Sequence, residues 1–352
     1  MRILIATSVY PPDIGGSAQY ARNLYETWKS QGHEVAVAAY TWEKAVPPGI
    51  RHLLYLIKVL RKGWNADLIL VLDTWTAAVP TAAACAIMSK KYLLRTSGDF
   101  LWERYVERTG DLVLFKDFYA TRLGRLSDRE KIIFVAAQKV MRNAARVIFS
   151  TERQEGAFTA AYGLDPAKNV IVENFCEKRA ESVAPEGRVF IGGSRFIKSK
   201  NQDMLKEAFE EAKEALAHGA LDQELPNQPK QAGLTDIRLD TTKATYDMFT
   251  ERLHRAWAVI SVSLSEMSPS IIFDAIAAGV PFILTRENGI LEKVKDAAIL
   301  VDPLDKKEIV EKIVWLADPA NREAQAQKVR QISCAHSWKE IADEIVEIWK
   351  KV

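Results

Sequence analysis

The sequence predicts an α/β protein of two domains, each built on a parallel sheet. Three observations carry this. At 352 residues the chain exceeds the size at which one hydrophobic core keeps growing, so two cores are expected. Short β-rich apolar runs alternate with longer helical stretches, which is the pattern of βαβ units. The alternation halts once, at a charged segment containing a proline, and then restarts.

In the first half the apolar runs are RILIAT at 2–7, EVAVAAY from Glu34, DLILVL from Asp67, KYLLRT from Lys91 and RVIFST from Arg146. Between the first two, Ala21, Leu24 and Trp28 recur at helical spacing, and Gly32 stands where a helix would end, completing one βαβ unit. NVIVENF near residue 170 closes this half, and EKRAESVAPEGR at 177–188 reads as the interdomain linker. The second half gives VFIGGS, a helix from about Gln202, a weaker strand at DIRLD, AVISVSL from Ala258, a helix from about Ile271, then PFILT and AILVDP. ALDQELPNQPKQAG at 220–233 reads as an exposed loop. At the end, Ser337 is followed three residues later by Glu340, a capping-box pattern, and Trp338, Ile341, Ile345, Ile348 and Val352 share one face of an amphipathic helix.

Composition narrows the function classes. With 48% hydrophobic and 27% charged residues and a net charge of +2, the chain has neither the makeup of a disordered protein nor the basic field of a nucleic-acid binder. Cys85, Cys176 and Cys334 lie far apart, with neither metal-ligand spacing nor a disulfide framework, so a reducing compartment is expected. No signal-peptide pattern and no 18-residue uncharged apolar run occurs, and a cytoplasmic protein is expected. The five histidines show no HxH or HExxH spacing and no DxD-type acidic cluster is evident, so no metal or cofactor is expected.

Four segments carry chemistry. After the first strand, Gly15 and Gly16 precede a helix, giving either a tight turn or an anion site at the bare amides of the helix start; the spacing is not GxGxxG. In SVSLSEMSPSIIFDAIAAG at 261–279, Glu266 is expected to end a strand, Ser268, Pro269 and Ser270 to open a helix, and Asp274 to follow eight positions after Glu266. Bare amides suit a diphosphate and the flanking carboxylates suit sugar hydroxyls, although two acids at this spacing are more often solvated surface groups. IGGSRFIKSKN places Arg195 and Lys200, with Lys198 as the alternative to Lys200, in a loop after a strand. In LLRTSGDFLWERY, Asp99 falls where the fourth strand ends and is expected to face a ligand crevice, as a sugar-hydroxyl acceptor, an acceptor-side base, or a cap for the next helix. Trp102 and Glu103 follow it, lining the acceptor side or packed into the core.

These segments together resemble the GT-B glycosyltransferases of family 4, whose second domain carries an E-x7-E element followed by small residues and a buried strand. Here the text is Glu266-MSPSIIF-Asp274-AIAAGVPFILT, and the resemblance continues through TRENGILEKV at 285–294, LVDPLD at 300–305, the opening PPDIGGSAQYARNL and GHEV. It implies two Rossmann-like domains with a cleft between them: 1–180 for the acceptor, 188–336 for the donor, and a helix at 337–352 returning to the first. It also implies a retaining, metal-free hexosyltransferase using a UDP- or GDP-sugar. Arg195, Lys200 and the amides near Ser268–Ser270 would hold the diphosphate, Asp274 the ribose, and Glu266 the donor-sugar hydroxyls. The sequence departs from the pattern in having Asp274 for the commoner Glu, Asp99 where many relatives have histidine, and 216–240 in place of a glycine-bearing apolar strand.

Three readings compete with it: a nucleotide-sugar 2-epimerase of the same architecture, a catalytically silent sugar-nucleotide or glycan binder, and, more distantly, a dehydrogenase. The basic stretches RHLLYLIKVLRK at 51–62 and 116–146 read first as solvated helices packed on a sheet, and second as a peripheral contact with anionic lipid on the inner face of a membrane.

Overall fold

The alternation seen in the sequence resolves into eleven strands and fourteen helices, with all strand pairs parallel, in a computed structural model that describes residues 1–13, 15–180, 183–192, 195–218 and 236–352. The loop expected at 220–233 lies outside the described residues. In chain order the first elements are β1 (Arg2–Thr7), α1 (Gly16–Ser30), β2 (Glu34–Ala39), α2 (Pro48–Gly63), β3 (Leu68–Val71), α3 (Ala78–Ile87), β4 (Leu93–Arg95), α4 (Phe100–Thr109), α5 (Phe115–Thr121), α6 (Asp128–Asn143), β5 (Arg146–Phe149), α7 (Glu152–Tyr162) and β6 (Asn169–Ile171). Then come β7 (Arg188–Ile191), α8 (Gln202–His218), β8 (Ile237–Asp240), α9 (Tyr246–His254), β9 (Ala258–Ser261), α10 (Ser270–Ala278), β10 (Phe282–Thr285), α11 (Leu291–Val294), β11 (Ile299–Val301), α12 (Lys306–Ala317), α13 (Pro319–Val329) and α14 (Trp338–Lys350).

The chain divides into two compact units. Unit 1 comprises Met1–Arg108, Lys116–Phe175 and His336–Val352; unit 2 comprises Thr109–Phe115 and Cys176–Ala335. The sheet of unit 1 has the order β2-β1-β3-β4-β5-β6 and that of unit 2 the order β11-β10-β9-β7-β8. Counted within its own unit, the second sheet runs 2-1-3-4-5, one of the two common orders of doubly wound sheets, and the first runs the same order with a sixth strand at its edge. The order reverses between β1 and β3 in unit 1 and between β7 and β9 in unit 2, and such switch points are where doubly wound sheets bind ligands, beyond the carboxyl ends of the strands.

Strands buried on both faces explain the continuous apolar runs, and unit 2 shows the two faces separately. Phe190, Ile260 and Ile283 belong to a core with Leu205 and Phe209 of α8 and Ile309 and Ile313 of α12. Their strand neighbours Ile191, Val259, Phe282 and Leu284 point the other way, against Ile272, Phe273 and Ile276 of α10 and Leu253 of α9. In unit 1, Ile3, Ile5, Leu70 and Ile148 share one core with Ala21, Leu24 and Trp28 of α1 and Ile341, Ala342 and Ile345 of α14. The Trp28 indole N–H donates to the Ala342 carbonyl at 3.2 Å, and the capping box of Ser337 and Glu340 starts that last helix.

One expectation fails outright. Cys176 and Cys334, separated by 158 residues and offering no pairing pattern in the sequence, are joined as a disulfide in unit 2, while Cys85 is free and buried. Sequence distance hid a spatial contact that the fold makes at the two ends of the long unit 2 segment.

Candidate functional site

The switch point of unit 2 gathers the polar side chains. Lys200 follows β7 at the end of a short helical turn, Lys198–Lys200, and its Nζ lies 2.7 Å from Glu266 Oε1. Neither side chain is far into solvent, at 17% and 11% exposure, so the pair is held rather than fluctuating at the surface. The same Oε1 accepts from the Ser263 hydroxyl at 2.6 Å and more weakly from the Ser261 hydroxyl at 3.3 Å. With one oxygen saturated by three donors, Oε2 accepts nothing among the described residues and keeps its full capacity for a ligand hydroxyl.

Backbone geometry fixes both partners. Asn201 adopts a left-handed conformation, φ 55°, which turns the chain into α8, and its side-chain amide donates to the carbonyls of Val262 at 3.2 Å and Pro303 at 2.7 Å. The loop after β7 is thus tied to those after β9 and β11. Glu266 does not end a strand, as expected; β9 stops at Ser261, and Glu266 stands beyond it in an isolated parallel bridge to buried Asn288 after β10. Its N–H donates to Glu287 O and its carbonyl accepts from Gly289 N, each at 2.8 Å.

The helix expected from about Ile271, with Ser268 and Ser270 at its opening, begins at Ser270, with buried Pro269 as the residue before it and Ser268 outside. No side chain caps this end and no acid lies in its first turn. Ile272 N–H turns back to the Pro269 carbonyl at 3.1 Å, which leaves the Ser270 and Ile271 amides without an intrahelical acceptor, at the positive end of α10. Asp274 lies one turn on, half-buried, and accepts from the Tyr246 hydroxyl at 3.1 Å. Burial pushes its carboxyl up to about 7, the Tyr246 bond works against that rise, and the Glu177 charge adds to it. Arg195 and Lys198 are exposed on the loop between β7 and α8, while Lys200 is joined to Glu266.

Unit 1 holds the remaining predicted residues, and Asp99 does not face a crevice. It is 3% exposed and both its oxygens are occupied: Oδ1 accepts from Trp102 N–H at 2.7 Å, and Oδ2 from the hydroxyls of Tyr119 and Tyr162, each at 2.7 Å. Of its three readings, the helix cap is the geometry observed, because the first turn of α4 needs an acceptor there. Burial raises its carboxyl above the ordinary range despite these donors. Trp102 is buried with it. Gly15 precedes α1 with φ 145° and ψ 159°, a conformation only glycine adopts freely, and Gly16 is the first helical residue. Near this turn the hydroxyls of Ser17 and Ser97 lie 3.4 Å apart.

Sequence reasoning missed Ser263, Asn201, Asn288 and Tyr246. Ser263 was legible, three residues before Glu266; the others act across long loops and leave no local pattern.

Residues 175–332 match the family model of the glycosyl transferases group 1. The match covers nearly all of the Cys176–Ala335 segment of unit 2, with Lys200, Glu266 and Asp274 inside the matched span. Over the whole chain, solved structures of similar fold include Alr3699/HepE from Anabaena in complex with UDP, at 16% identity and TM-score 0.67, covering 100% of both chains. WaaG, a glycosyltransferase involved in lipopolysaccharide biosynthesis, gives 14% identity and TM-score 0.67 with 100% of both chains covered. Sucrose-phosphate synthase from Thermosynechococcus elongatus gives 14% and 0.66, covering 99% of this chain and 98% of that one. Likeness at these identities shows the fold, which is GT-B. No curated protein sequence matches the chain.

Proposed function

We propose that the protein is a glycosyltransferase that moves a sugar, with retention of configuration and without a metal, from a nucleoside-diphosphate donor on the group 1 domain to a hydroxyl acceptor. The observation that carries this is the 2.7 Å contact of Lys200 and Glu266 at the β7/β9 switch point, beside the uncapped start of α10. A diphosphate needs cations and free amides, and Lys200, Arg195 and the first turn of α10 supply both on neighbouring loops. As the bond to the donor sugar breaks, charge gathers on the departing diphosphate, and fixed donors that meet it there lower the barrier. Glu266, through Oε2, accepts from donor-sugar hydroxyls, and Asp274 from the ribose. HepE was solved with UDP and with UDP-glucose, which favours a uridine donor over a guanosine one. The Asp99 geometry supports a structural role for that residue in the acceptor-binding unit.

The test is a thermal-shift panel of UDP-, GDP-, ADP- and TDP-sugars on the full chain. A donor present at 100 times its dissociation constant adds about 2.7 kcal/mol of stability. One sugar nucleotide is expected to raise the unfolding midpoint and then to release its nucleoside diphosphate only when an acceptor hydroxyl is supplied. Release without transfer to an acceptor, together with interconversion of the sugar, would instead mark an epimerase; no shift with any of the four would remove the proposal.

A further inference from the structure

Unit 1 contains a cavity of about 480 Å³ that no part of the donor chemistry uses. It is lined by Arg51 and His52 of α2, Trp75 and Thr76 before α3, Phe100 and Arg104 of α4, and Arg129 with Ile132 of α6. Four helices therefore begin around it; α3 and α4 start on the carboxylates of Asp73 and Asp99 and α6 on a Ser127–Glu130 capping box, whereas α2 has neither a side-chain cap nor an acid in its first turn and keeps its positive end open. Its described lining includes three arginines and no acid.

The arginines are uncompensated. None of Arg51, Arg104 and Arg129 makes a side-chain hydrogen bond or ion pair among the described residues, and the Nε atoms of Arg51 and Arg104 are buried without a partner. A buried N–H on a cation with no acceptor is costly, and native structures keep few of them without a ligand or ordered water to satisfy them. Elsewhere in the chain guanidinium groups do find acids: Arg108 meets Glu130, and Arg252 meets Asp240. The charges also reach one another. His52 is held below the ordinary imidazole range first by burial and then by Arg51 and Arg129. Its Nδ1 lies 3.1 Å from the Tyr40 hydroxyl, whose proton goes to the Thr76 carbonyl at 3.0 Å, so Nδ1 is the donor and Nε2 carries the lone pair. The other walls are apolar or aromatic, and beside them Phe100, Ile132 and, further out, Leu53 are exposed at 37%, 64% and 59%.

We propose that this cavity is an oxyanion site that takes a phosphate group carried on an apolar or aromatic body. Three guanidinium forks match the oxygens of a phosphate, and the apolar walls match the body attached to it. That the bound molecule is the sugar acceptor rests on the glycosyltransferase reading; that the cavity binds a phosphate does not. A soluble phosphate ester and a phospholipid headgroup share this chemistry.

The experiment measures binding to the full chain of three probes: inorganic phosphate, dihexanoyl phosphatidic acid kept below its micelle concentration, and phosphatidylcholine vesicles with and without phosphatidylglycerol. The expected result is saturable binding of the short-chain ester, of the phosphatidylglycerol vesicles, or of both, tighter than that of inorganic phosphate. Affinity should fall tenfold or more in Arg51→Ala/Arg129→Ala and weaken as salt is raised. Binding of the ester identifies a soluble ligand as sufficient; binding of the anionic vesicles alone identifies a lipid headgroup. Arg129→Ala, at an exposed position, serves if the double variant fails to fold, and an unchanged donor-induced thermal shift shows that unit 2 is intact. No saturable binding of either phosphate-bearing organic probe, or equal binding by a folded variant, overturns the site, whatever the donor panel shows.

Discussion

At the scale of residues, the site of unit 2 depends on how two carboxyls are kept. Glu266 is held as an ion pair with Lys200, with one oxygen saturated and the other open. Asp274 makes no ion pair with a cation among the described residues, and burial raises its carboxyl to about 7 from an ordinary 3.8. The sign of the consequence follows from linkage. Between those two values the folded state binds the extra proton, so this group's contribution to stability is present below the unfolded value and is lost as pH rises through about 7. Under the proposed ribose role of Asp274, donor binding runs the other way, because ribose hydroxyls are accepted best by the ionised form. Donor affinity should therefore be about tenfold weaker at pH 6 than at pH 8, since roughly a tenth of the molecules are ionised one unit below the pKa. Calorimetric titration at both pH values checks this, and Asp274→Asn should remove the pH dependence. An affinity that does not move over that range in the native protein would separate Asp274 from the ribose.

At the scale of elements, the turn into α1 tests how much of the fold lies in backbone conformation. Gly15 has φ +145°, and a Cβ placed there meets nothing within 4 Å. Gly15→Ala should thus cost about 1–3 kcal/mol in urea unfolding, purely from backbone strain, whereas Gly16→Ala, inside the helix, should cost nothing. Equal effects would contradict the conformation assigned to Gly15. The same pair shows what was legible. The strands could be read because both their faces are buried and the apolar runs are therefore continuous; α14 could be read from its capping box and its one apolar face. The start of α10 at Ser270 falls within one residue of the expected Ile271, and the residue before it is Pro269 rather than one of the serines that are good caps by type. Asp99 was harder. A strand end in a doubly wound sheet is the right place for a ligand group, and nothing local revealed that Tyr119 and Tyr162 fold back to cover it. The Cys176–Cys334 contact and the pairing of Tyr246 with Asp274 are likewise products of chain return, invisible to spacing.

At the scale of the whole molecule, two units repeat one strand order, and each uses the carboxyl edge of its sheet differently. Unit 2 presents a paired lysine and glutamate with a bare helix start. Unit 1 presents three arginines around a cavity with no acid in its described lining. The break in alternation at 177–188 lies close to the Phe175/Cys176 boundary between the units, and the Glu266–Asp274 element stood out because its two acids flank a helix start. The exchange of Thr109–Phe115 into unit 2 was not, since it depends on packing rather than on any break in pattern.

The central claim is that a nucleoside diphosphate rests against Lys200 and the start of α10. Its most direct test is calorimetric titration of UDP, or of GDP if the donor panel selects guanosine, into the native protein and into Lys200→Ala. The account predicts one saturable site weakened tenfold or more by the substitution, the loss of a charge-assisted contact worth about 1.5–3 kcal/mol. Equal affinity in a folded Lys200→Ala protein would contradict it.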